Sequence, residues 1–324
     1  MRITNSMMVN NMMRNLGKNL GRMDKLQQNL ATGKKFIAPS DDPIGVSRSL
    51  RLNTEVANLE QFKRNAEDAM SWLDTTEMAT DNIMNVLQRA RELTVQASNE
   101  TNTVNERKAI AEEIEELREQ LIKIGNSTYA GSYIFTGFMT NYPLFDGNGD
   151  YYFKNVPADP AQTLTSNEEI EFNVGIAERI DINFVGQRIF GTTAGGSTID
   201  DPVDNTSPVS SGNSSQLIEV FDQLLIDLNA SNTAGINSAL TRIDIHVGNI
   251  NAVRAEIGVK TNRLDLTLNR IEDDTLNMRG LLAKNEDADM AEVIMRLQME
   301  ENVYKASLSG GAKIIQPSLV DFLR

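Results

Sequence analysis

Few residues of this chain have the types and spacing that metal binding requires. The stretch DGNGDY, Asp146 to Tyr151, places acidic residues at alternate positions, as calcium-binding loops do. Such a loop needs glycine at its sixth position and a glutamate downstream, but the sixth residue is Tyr151 and the glutamate is absent. An Asn-Gly pair favours a tight hairpin turn, so we predict a plain turn here and no metal.

Residues for nucleophilic or cofactor chemistry are also scarce. The chain has no cysteine and one histidine, His246, which excludes thiolate sites, paired-histidine metal sites and most histidine-assisted catalysis. No paired carboxylates and no glycine-rich phosphate loop stand out. We predict that the protein is not an enzyme, that it uses no cofactor, and that His246 lies at the edge of a helical bundle.

Charge and hydropathy exclude two further classes of function. The 324 residues carry a formal net charge of −14 without a cluster of lysine and arginine, whereas nucleic-acid binding needs concentrated positive charge. No apolar run is long enough to cross a membrane, and the N-terminus lacks the apolar core of a secretory signal peptide. We therefore expect no nucleic-acid binding and no membrane insertion.

Glycine and proline divide the chain into three segments. Neither residue occurs between Gly45 and Gly125, whereas both are dense over residues 126–212, together with most of the aromatic residues. Glycine then becomes sparse again, and Pro317 is the one later proline. Helix formers avoid both residues, while strands and turns collect glycine and aromatics. This predicts a mainly α fold, an elongated antiparallel coiled-coil or helical bundle, with a small inserted β-rich domain.

Heptad stripes give the helical segments their register. Apolar or threonine residues recur at steps of three and four over residues 59–97, and a longer stripe over 236–285 has Arg254 as its one charged member. Between the stripes, Thr103 and Glu106 form a capping box that predicts the start of another helix. Such stripes are typical of core packing, so the function must lie in what the bundle is for.

Each end of the chain carries a short amphipathic stripe of its own. We assign these stripes as assembly seams, and their residues are Val9, Leu16, Met23, Leu30, Ile294, Leu297, Tyr304, Leu308, Ile315 and Phe322. Neither end can bury its stripe alone, because short polar helices are marginal in water. We expect the two ends to pair antiparallel, to be disordered in the monomer and to order on assembly.

A break separates each end from the central bundle, at residues 31–45 and 283–290. Gly33 can end a helix in a left-handed conformation, and Asp42 can cap the next helix with Pro43 at its first position. The register of the C-terminal stripe slips at the second break. We predict that the first break is a hinge that lets the terminal pair tilt. The predicted hinge residues are Gly33, Pro39, Asp42, Pro43 and Gly45.

Several motifs, in order and at the right spacing, resemble the bacterial flagellin family. ATGKKFIAPSDDPIGVS, which begins at Ala31, resembles the junction motif of that family. LQRARELTVQASNET, from Leu87, is similar to its first-domain helix, and GSYIFTGFMT, from Gly131, to the hairpin that follows. The opening MRITNSMMVNN and the ending GGAKIIQPSLVDFLR are closer to members that join the hook to the filament than to flagellin itself. The resemblance covers residues 1–140 and 212–324.

The resemblance implies a structural subunit of the flagellum, active in motility, outside the cell, and exported by the flagellar type III apparatus. It implies a terminal coiled-coil domain of residues 1–40 and 286–324, a helical bundle with a β-hairpin of residues 41–140 and 206–285, and an outer β-rich domain of residues 141–205. The implied partners are other copies in a ring-like assembly, hook-associated protein 1, flagellin, and an export chaperone at the C-terminal helix.

The resemblance also points to a surface on the helical bundle. Arg89, Leu93 and Glu113 match family positions that pack subunits together and that an innate-immune receptor recognises in flagellin. Packing alone and receptor recognition both remain open as explanations of this match.

Two alternatives to a junction subunit remain open. The first is a short divergent flagellin that forms the filament itself. The second is a long coiled-coil adhesin or scaffold that shares the heptads and has folded termini.

Overall fold

The computed structural model describes residues 5–99, 103–152, 164–165 and 168–315. These residues form seven α-helices, and the two long heptad stripes lie within two of them, as predicted. The helices are α1 (Asn5–Thr32), α2 (Pro43–Ser98), α3 (Val104–Gly125), α4 (Gly186–Phe190), α5 (Gln216–Asn229), α6 (Thr233–Glu286) and α7 (Met290–Ile315). The structure falls into two compact units. The first holds the described residues up to Glu60 and from Asp273 onward, and the second holds Gln61–Glu272.

The first unit consists of α1, α7 and the ends of α2 and α6 that lie near the two breaks. Helix α1 packs along α7. The chain leaves α1 at Gly33, passes through a turn and re-enters helix at Pro43. The second break is only three residues long, because α6 ends at Glu286 and α7 begins at Met290. Both breaks therefore lie where the sequence predicted them.

The second unit is built on the heptad stripes of α2 and α6. Every stripe residue from Ala66 to Ala97 is buried. Ion pairs between Lys63 and Glu272 at 2.6 Å, and between Asp81 and Arg254 at 3.0 Å, connect the two helices. Rising numbers on α2 pair with falling numbers on α6, so the helices run antiparallel, as predicted. Arg254, the one charged stripe member, is thereby neutralised at the edge of the seam.

Helices α3 and α5 complete the helical part of this unit. The capping box predicted for α3 is present, because the Thr103 hydroxyl accepts a hydrogen bond from the Glu106 backbone N–H and the Glu106 carboxylate accepts one from the Thr103 backbone N–H. The apolar face of α3, with Ile114 fully buried, packs against α5. Ser215 caps α5 through its side chain.

The middle of the chain contributes two small antiparallel hairpins to the second unit. Strand β1 (Thr128–Tyr129) pairs with β2 (Ser132–Tyr133), and β3 (Glu171–Gly175) pairs with β4 (Glu178–Asp181). This confirms a mainly helical fold with a small strand-containing insertion. Isolated bridges and short segments connect the rest of the described middle region.

The stretch DGNGDY forms the predicted hairpin turn. The Asp146 backbone N–H donates to the Asp150 carbonyl at 2.9 Å, and Phe145 and Tyr151 pair as an isolated bridge. The Asp146 carboxylate accepts hydrogen bonds from the Asn148 and Asp150 backbone N–H groups. One carboxylate oxygen of Asp146 thus holds the backbone of the turn.

Aromatic packing ties the middle region to the helices of its unit. The Phe190 ring lies edge-on to Phe135 and to Phe145, with centroids 6.1 and 4.9 Å away. All three rings belong to the same buried cluster as Leu87 and Ile114 of the helices. The predicted domain limits lay near residues 40 and 285, and residues 141–205 were assigned to a separate outer domain. That three-domain division stays a prediction.

Candidate functional site

The predicted N-terminal seam occupies one face of α1. Val9, Leu16, Met23 and Leu30 are each half-buried, while most neighbouring residues of the helix are exposed. Asn19 interrupts this apolar face and is 8% exposed, and its side-chain oxygen accepts a hydrogen bond from Arg22. A polar residue inside a heptad seam fixes register at some cost in stability.

The matching face of α7 differs by one position from the predicted stripe. Val293 is buried, and Leu297 and Tyr304 are half-buried, all on the side that carries the buried Gly311. Sequence inspection placed Ile294 on this seam, but its neighbour Val293 takes the inward position. Both residues are β-branched and apolar, so the sequence offered no criterion for choosing between them.

The remaining predicted seam residues of α7 are either exposed in this chain or lie where the structure does not describe their side chains. Leu308 is 46% exposed and Ile294 is 43% exposed, so neither closes the seam within the chain. Ile315 ends the helix, and only its backbone is described. Phe322 lies outside the described residues. The role of Ile294 and Leu308 in assembly therefore stays a prediction that concerns contacts with other chains.

Contacts between α1 and α7 show that the two ends run antiparallel. Met12 sits against Gly311, where an added Cβ atom would lie 2.4 Å from the Met12 Sδ. Ten residues further along α1, the Arg22 Nε donates to the Glu300 Oε1 at 2.8 Å. The missing side chain of Gly311 thus forms a hole for the Met12 thioether. The predicted antiparallel pairing of the two ends is confirmed.

The paired helices leave many large apolar side chains exposed. On α1 and α7 these are Met7, Met8, Met13, Leu20, Met290, Ile294, Met295, Met299, Val303 and Leu308. Successive helical residues are about 100° apart, so Ile294 and Leu308 flank one side of the inward face of α7. Met299 and Val303 flank the other side. We call these two groups the flanks of the terminal pair.

The first break has the local geometry that its sequence predicts. Gly33 has φ of +70°, the left-handed conformation that ends α1. Pro39 lies in a turn closed by a hydrogen bond from the Asp41 N–H to the Ala38 carbonyl at 2.9 Å. Asp42 caps α2 by accepting hydrogen bonds from two backbone N–H groups of its first turn, and Pro43 is the first helical residue. Whether these residues act as a hinge stays a prediction.

Gly45 is required for space. A Cβ atom there would lie 2.4 Å from the Asp42 carboxylate and 2.7 Å from the ring of Phe36, which is 8% exposed. Replacement by alanine would displace the capping carboxylate as well as reduce backbone freedom. The glycine therefore lets Phe36 cover the first turn of α2.

Charged groups around the breaks are paired. Lys25 contacts Asp41 at 2.9 Å and, together with two backbone N–H groups, lowers the pKa of that carboxyl. Glu286 is 8% exposed, and the hydrogen bond from Lys34 is the main cause of its lowered pKa. Sequence inspection missed Glu286 as a structural residue. The one signal in the sequence was the opposite charge of the pairs Lys34-Lys35 and Glu286-Asp287. The two pairs are about 250 residues apart, so a single sequence does not show that they are in contact.

The predicted packing or receptor surface on the bundle is only partly accessible. The Arg89 Nε donates to the Glu113 Oε1 at 2.7 Å, and both side chains are exposed. Leu93 is 2% exposed and packs in the core, so it supports the surface from beneath. Either explanation of the match therefore depends on Arg89 and Glu113.

His246 is a core residue. It is 1% exposed, and burial lowers its pKa to about 4, so it is neutral near pH 7. The prediction that His246 lies at the bundle edge is wrong. His246 is next to the stripe residue Val247, and it is also buried because α6 is packed on more than one side there. Among the described residues no three His, Asp or Glu side chains come together as a metal site would require. In the same part of the chain no helix is long and apolar enough to cross a membrane.

Two family models match most of the chain. Their descriptions are bacterial flagellin N-terminal helical region, over residues 3–140, and bacterial flagellin C-terminal helical region, over residues 240–323. Together they cover more than half of the sequence. The match includes α1, α2, α3 and the β1–β2 hairpin at one end, and nearly all of α6 with α7 at the other.

Individual proteins resemble the chain over almost its whole length. A flagellin of Halalkalibacterium halodurans is 25% identical over 304 residues, which span 91% of this chain and 88% of that protein. The flagellar hook-associated protein 3 of Escherichia coli K12 is 26% identical over 322 residues, spanning 94% and 96%. The crystal structure of the flagellar junction protein FlgL from Legionella pneumophila shares the fold, with a TM-score of 0.54, 18% identity, and coverage of 74% of this chain and 100% of that one.

Proposed function

The chain belongs to the bacterial flagellin family, and from this premise we propose that it is a structural subunit that joins the flagellar hook to the filament. The observation that carries the proposal is the similarity to flagellar hook-associated protein 3, which extends over 96% of that protein. The work of such a subunit is mechanical. It must bind other subunits on several sides and hold them in a fixed geometry.

The flanks of the terminal pair support a role in assembly. The pair closes on its own narrow seam and still exposes apolar side chains on both sides of α7, with Ile294 at one flank and Met299 at the other. Clusters of exposed apolar side chains mark interaction sites in proteins. A subunit with one apolar flank on each side can bind a neighbouring copy at either flank, which is the arrangement that a ring requires.

The partners follow from the same proposal. Copies of the chain form a ring-like assembly through the flanks of the terminal pair, with hook-associated protein 1 on the hook side and flagellin on the filament side. The protein reaches this position outside the cell through the flagellar type III apparatus, and an export chaperone binds its C-terminal helix beforehand. In this scheme the terminal pair forms an inner coiled-coil domain, the long helices form the bundle, and residues 141–205 face outward.

A deletion strain tests the proposal directly. Electron microscopy is expected to show hooks without filaments, with monomeric flagellin released into the medium. The similarity to a flagellin over 91% of this chain favours a second candidate, a short flagellin that forms the filament itself. Filaments composed of this protein would establish that candidate and overturn the junction role.

A substitution on α7 tests the assembly surface. Leu308→Asp places a charge on one flank and is expected to abolish polymerisation, because the charge would be buried between chains. The free energy of unfolding of the second unit should not change, because Leu308 belongs to the first unit and is 46% exposed there. Asn302→Asp, which adds the same charge to an exposed position of the same helix, is the matched control. Equal polymerisation of the Leu308 and Asn302 variants would refute the flank assignment.

Arg89 and Glu113 form a further surface that we propose for subunit packing. The pair is exposed and fixed by its own hydrogen bond, so it can present charge to a neighbouring subunit. Receptor recognition of the same surface is the alternative. Binding of the purified chain to the flagellin receptor, lost on Arg89→Ala, would favour it, and absence of binding would leave packing.

A further inference from the structure

The two breaks of the chain lie against each other in the first unit. The Lys35 backbone N–H donates to the Glu286 carbonyl at 2.6 Å, and the Ala288 backbone N–H donates to the Gly33 carbonyl at 2.8 Å. Lys34 and Asp287 form an antiparallel bridge between these two bonds. Segments about 250 residues apart in sequence are thus joined by the hydrogen-bond pattern of a minimal sheet.

Side chains add a second layer of contacts around Glu286. The Lys34 Nζ lies 2.7 Å from the Glu286 Oε2, and the Asn53 Nδ2 donates to the Glu286 Oε1 at 3.4 Å. The Lys34 side chain is half exposed, whereas the side chain of Glu286 is 10% exposed. One carboxylate therefore receives donors from the first break and from α2.

Two further side chains, those of Asn285 and Lys35, connect the breaks to α2 and to the last turn of α6. The Asn285 Nδ2 donates to the Gly45 carbonyl at 2.9 Å and to the Ser49 Oγ at 2.6 Å. The Lys35 Nζ donates to the Lys284 carbonyl at 3.1 Å, near the C-terminus of α6. A cation at that end of a helix is favourable because the last carbonyls lack partners within the helix.

We propose that residues 33–35 and 284–288 form a polar latch that holds the terminal pair in one fixed setting on the adjoining ends of α2 and α6, and that Glu286 is its central residue. A free hinge would expose the backbone groups of both breaks to solvent. Here those groups bond to each other across the breaks. The latch replaces a freely tilting joint by one with a closed and an open state.

The closed state depends on the charge of Glu286. A largely buried carboxylate that loses one of its donors is left with an uncompensated charge, which is strongly unfavourable. A glutamine at this position keeps the shape but cannot hold Lys34 by charge. Since the backbone bonds and the ion pair share the same few residues, they are expected to open together.

Amide hydrogen exchange of the purified full-length chain tests the latch. In the wild type, the Lys35 and Ala288 N–H groups are expected to exchange slowly, in contrast to the disorder that the sequence predicts for the ends of the monomer. Glu286→Gln should lower protection at both amides by about 10-fold or more, because a hydrogen bond to a charged group is lost from a buried position. The amides of α2 beyond Gln61 should keep their protection, which separates latch opening from unfolding.

Asp274→Asn is the matched control. It removes the same charge from an exposed side chain of α6 in the first unit, outside the latch residues. Protection at Lys35 and Ala288 should remain. Two outcomes would overturn the latch: fast exchange of both amides in the wild type, as expected for termini that order only on assembly, or full protection in Glu286→Gln. Because the readout is taken on the free chain, neither outcome bears on the junction role.

Discussion

The two units differ in what they bury. Among the described residues, the first unit buries three apolar side chains, Phe36, Val56 and Val293, and four polar ones, Asn19, Asn29, Ser49 and Glu286. The second unit buries most of the apolar core, including the heptad run of α2 from Ala66 to Ala97 and every second stripe residue of α6 from Ile236 to Ile271. Among the same described residues, the larger second unit leaves nine large apolar residues exposed, whereas the smaller first unit leaves fifteen.

This contrast separates two uses of the same heptad pattern. In the second unit the stripes find their partners within the chain, so hydrophobic burial supplies the stability. In the first unit the stripe of α1 finds one partner helix, and polar contacts specify how the chain crosses between helices. The remaining apolar surface is available for other chains. The second unit is therefore expected to carry the stability of the monomer, and the first unit to carry assembly.

The largest expected effect comes from truncating the core of the second unit. Leu87→Ala removes a fully buried side chain and should lower the free energy of unfolding by about 3 kcal/mol, because a cavity remains. Trp72, the single tryptophan, lies in this unit with its ring edge-on to Tyr129. Urea unfolding followed by Trp72 fluorescence measures the change.

Leu16→Ala is the corresponding truncation in the first unit. Leu16 is half-buried on the seam with α7, so the Trp72 transition should shift far less than it does for Leu87→Ala. Polymerisation should nevertheless be lost. If Leu16→Ala destabilised the second unit as much as Leu87→Ala does, the assignment of stability to the second unit and of assembly to the first would be wrong.

Acid is expected to affect the second unit at a higher pH than the first. His246 has a folded-state pKa of about 4, below its ordinary value near 6.5, because it is buried. Between these pH values the unfolded chain binds a proton at His246 that the folded chain does not bind. The free energy of unfolding therefore falls by about 3 kcal/mol as the pH drops from 6.5 to 4. The Glu286 carboxyl, whose pKa is lowered by Lys34, loses its contribution only below its ordinary range near 4.5.

His246→Gln tests this assignment. The variant removes the titrating group, so the slope of stability against pH between 6.5 and 4.5 should flatten in unfolding curves read from Trp72. Carboxyl groups contribute mainly below about pH 5, where the unfolded chain begins to protonate carboxyls, such as Asp204, whose pKa is lowered in the folded chain, so the slope above about pH 5 reports His246. An unchanged slope in the variant would assign the acid sensitivity to other groups.

Sequence reasoning succeeded where a local pattern determines structure. The heptads placed α2 and α6, the capping box placed the start of α3, and Gly33 and Pro43 placed the limits of the first break. It could not choose between two locally equivalent positions, because Val293 and not Ile294 takes the inward position of α7, while the role of Ile294 in assembly stays a prediction. It also missed the contact of Lys34 with Glu286, because a pairing across the whole chain is fixed by tertiary packing and leaves no periodic signal.

Gly45 and Gly280 offer opposite substitutions within the first unit. Gly45→Ala should destabilise this unit by about 1–2 kcal/mol, because the new Cβ collides with Asp42 and Phe36. Gly280→Ala meets no atom within 4 Å in α6 and should stabilise the helix by up to about 1 kcal/mol. Amide exchange in residues 43–50 and 276–284 measures both effects. A stabilising Gly45→Ala would mean that the Phe36 contact adjusts freely and that the first break is loosely packed.

The smallest expected effect concerns the cap of α3, and it tests whether the second unit behaves as one cooperative body. Thr103→Ala removes the hydroxyl that accepts the Glu106 N–H, which should lower stability by about 1 kcal/mol. Thr103→Ser keeps the hydroxyl and should restore most of it. Trp72 lies on α2, so its transition shifts only if α3 and α2 unfold together. If the circular dichroism transition shifts by the same amount as the Trp72 transition, the core shared by Ile114 and Leu87 couples the two helices. If helix signal is lost without a fluorescence change, α3 unfolds separately. The second unit would then not unfold as one cooperative body, and its contrast with the first unit would be weaker.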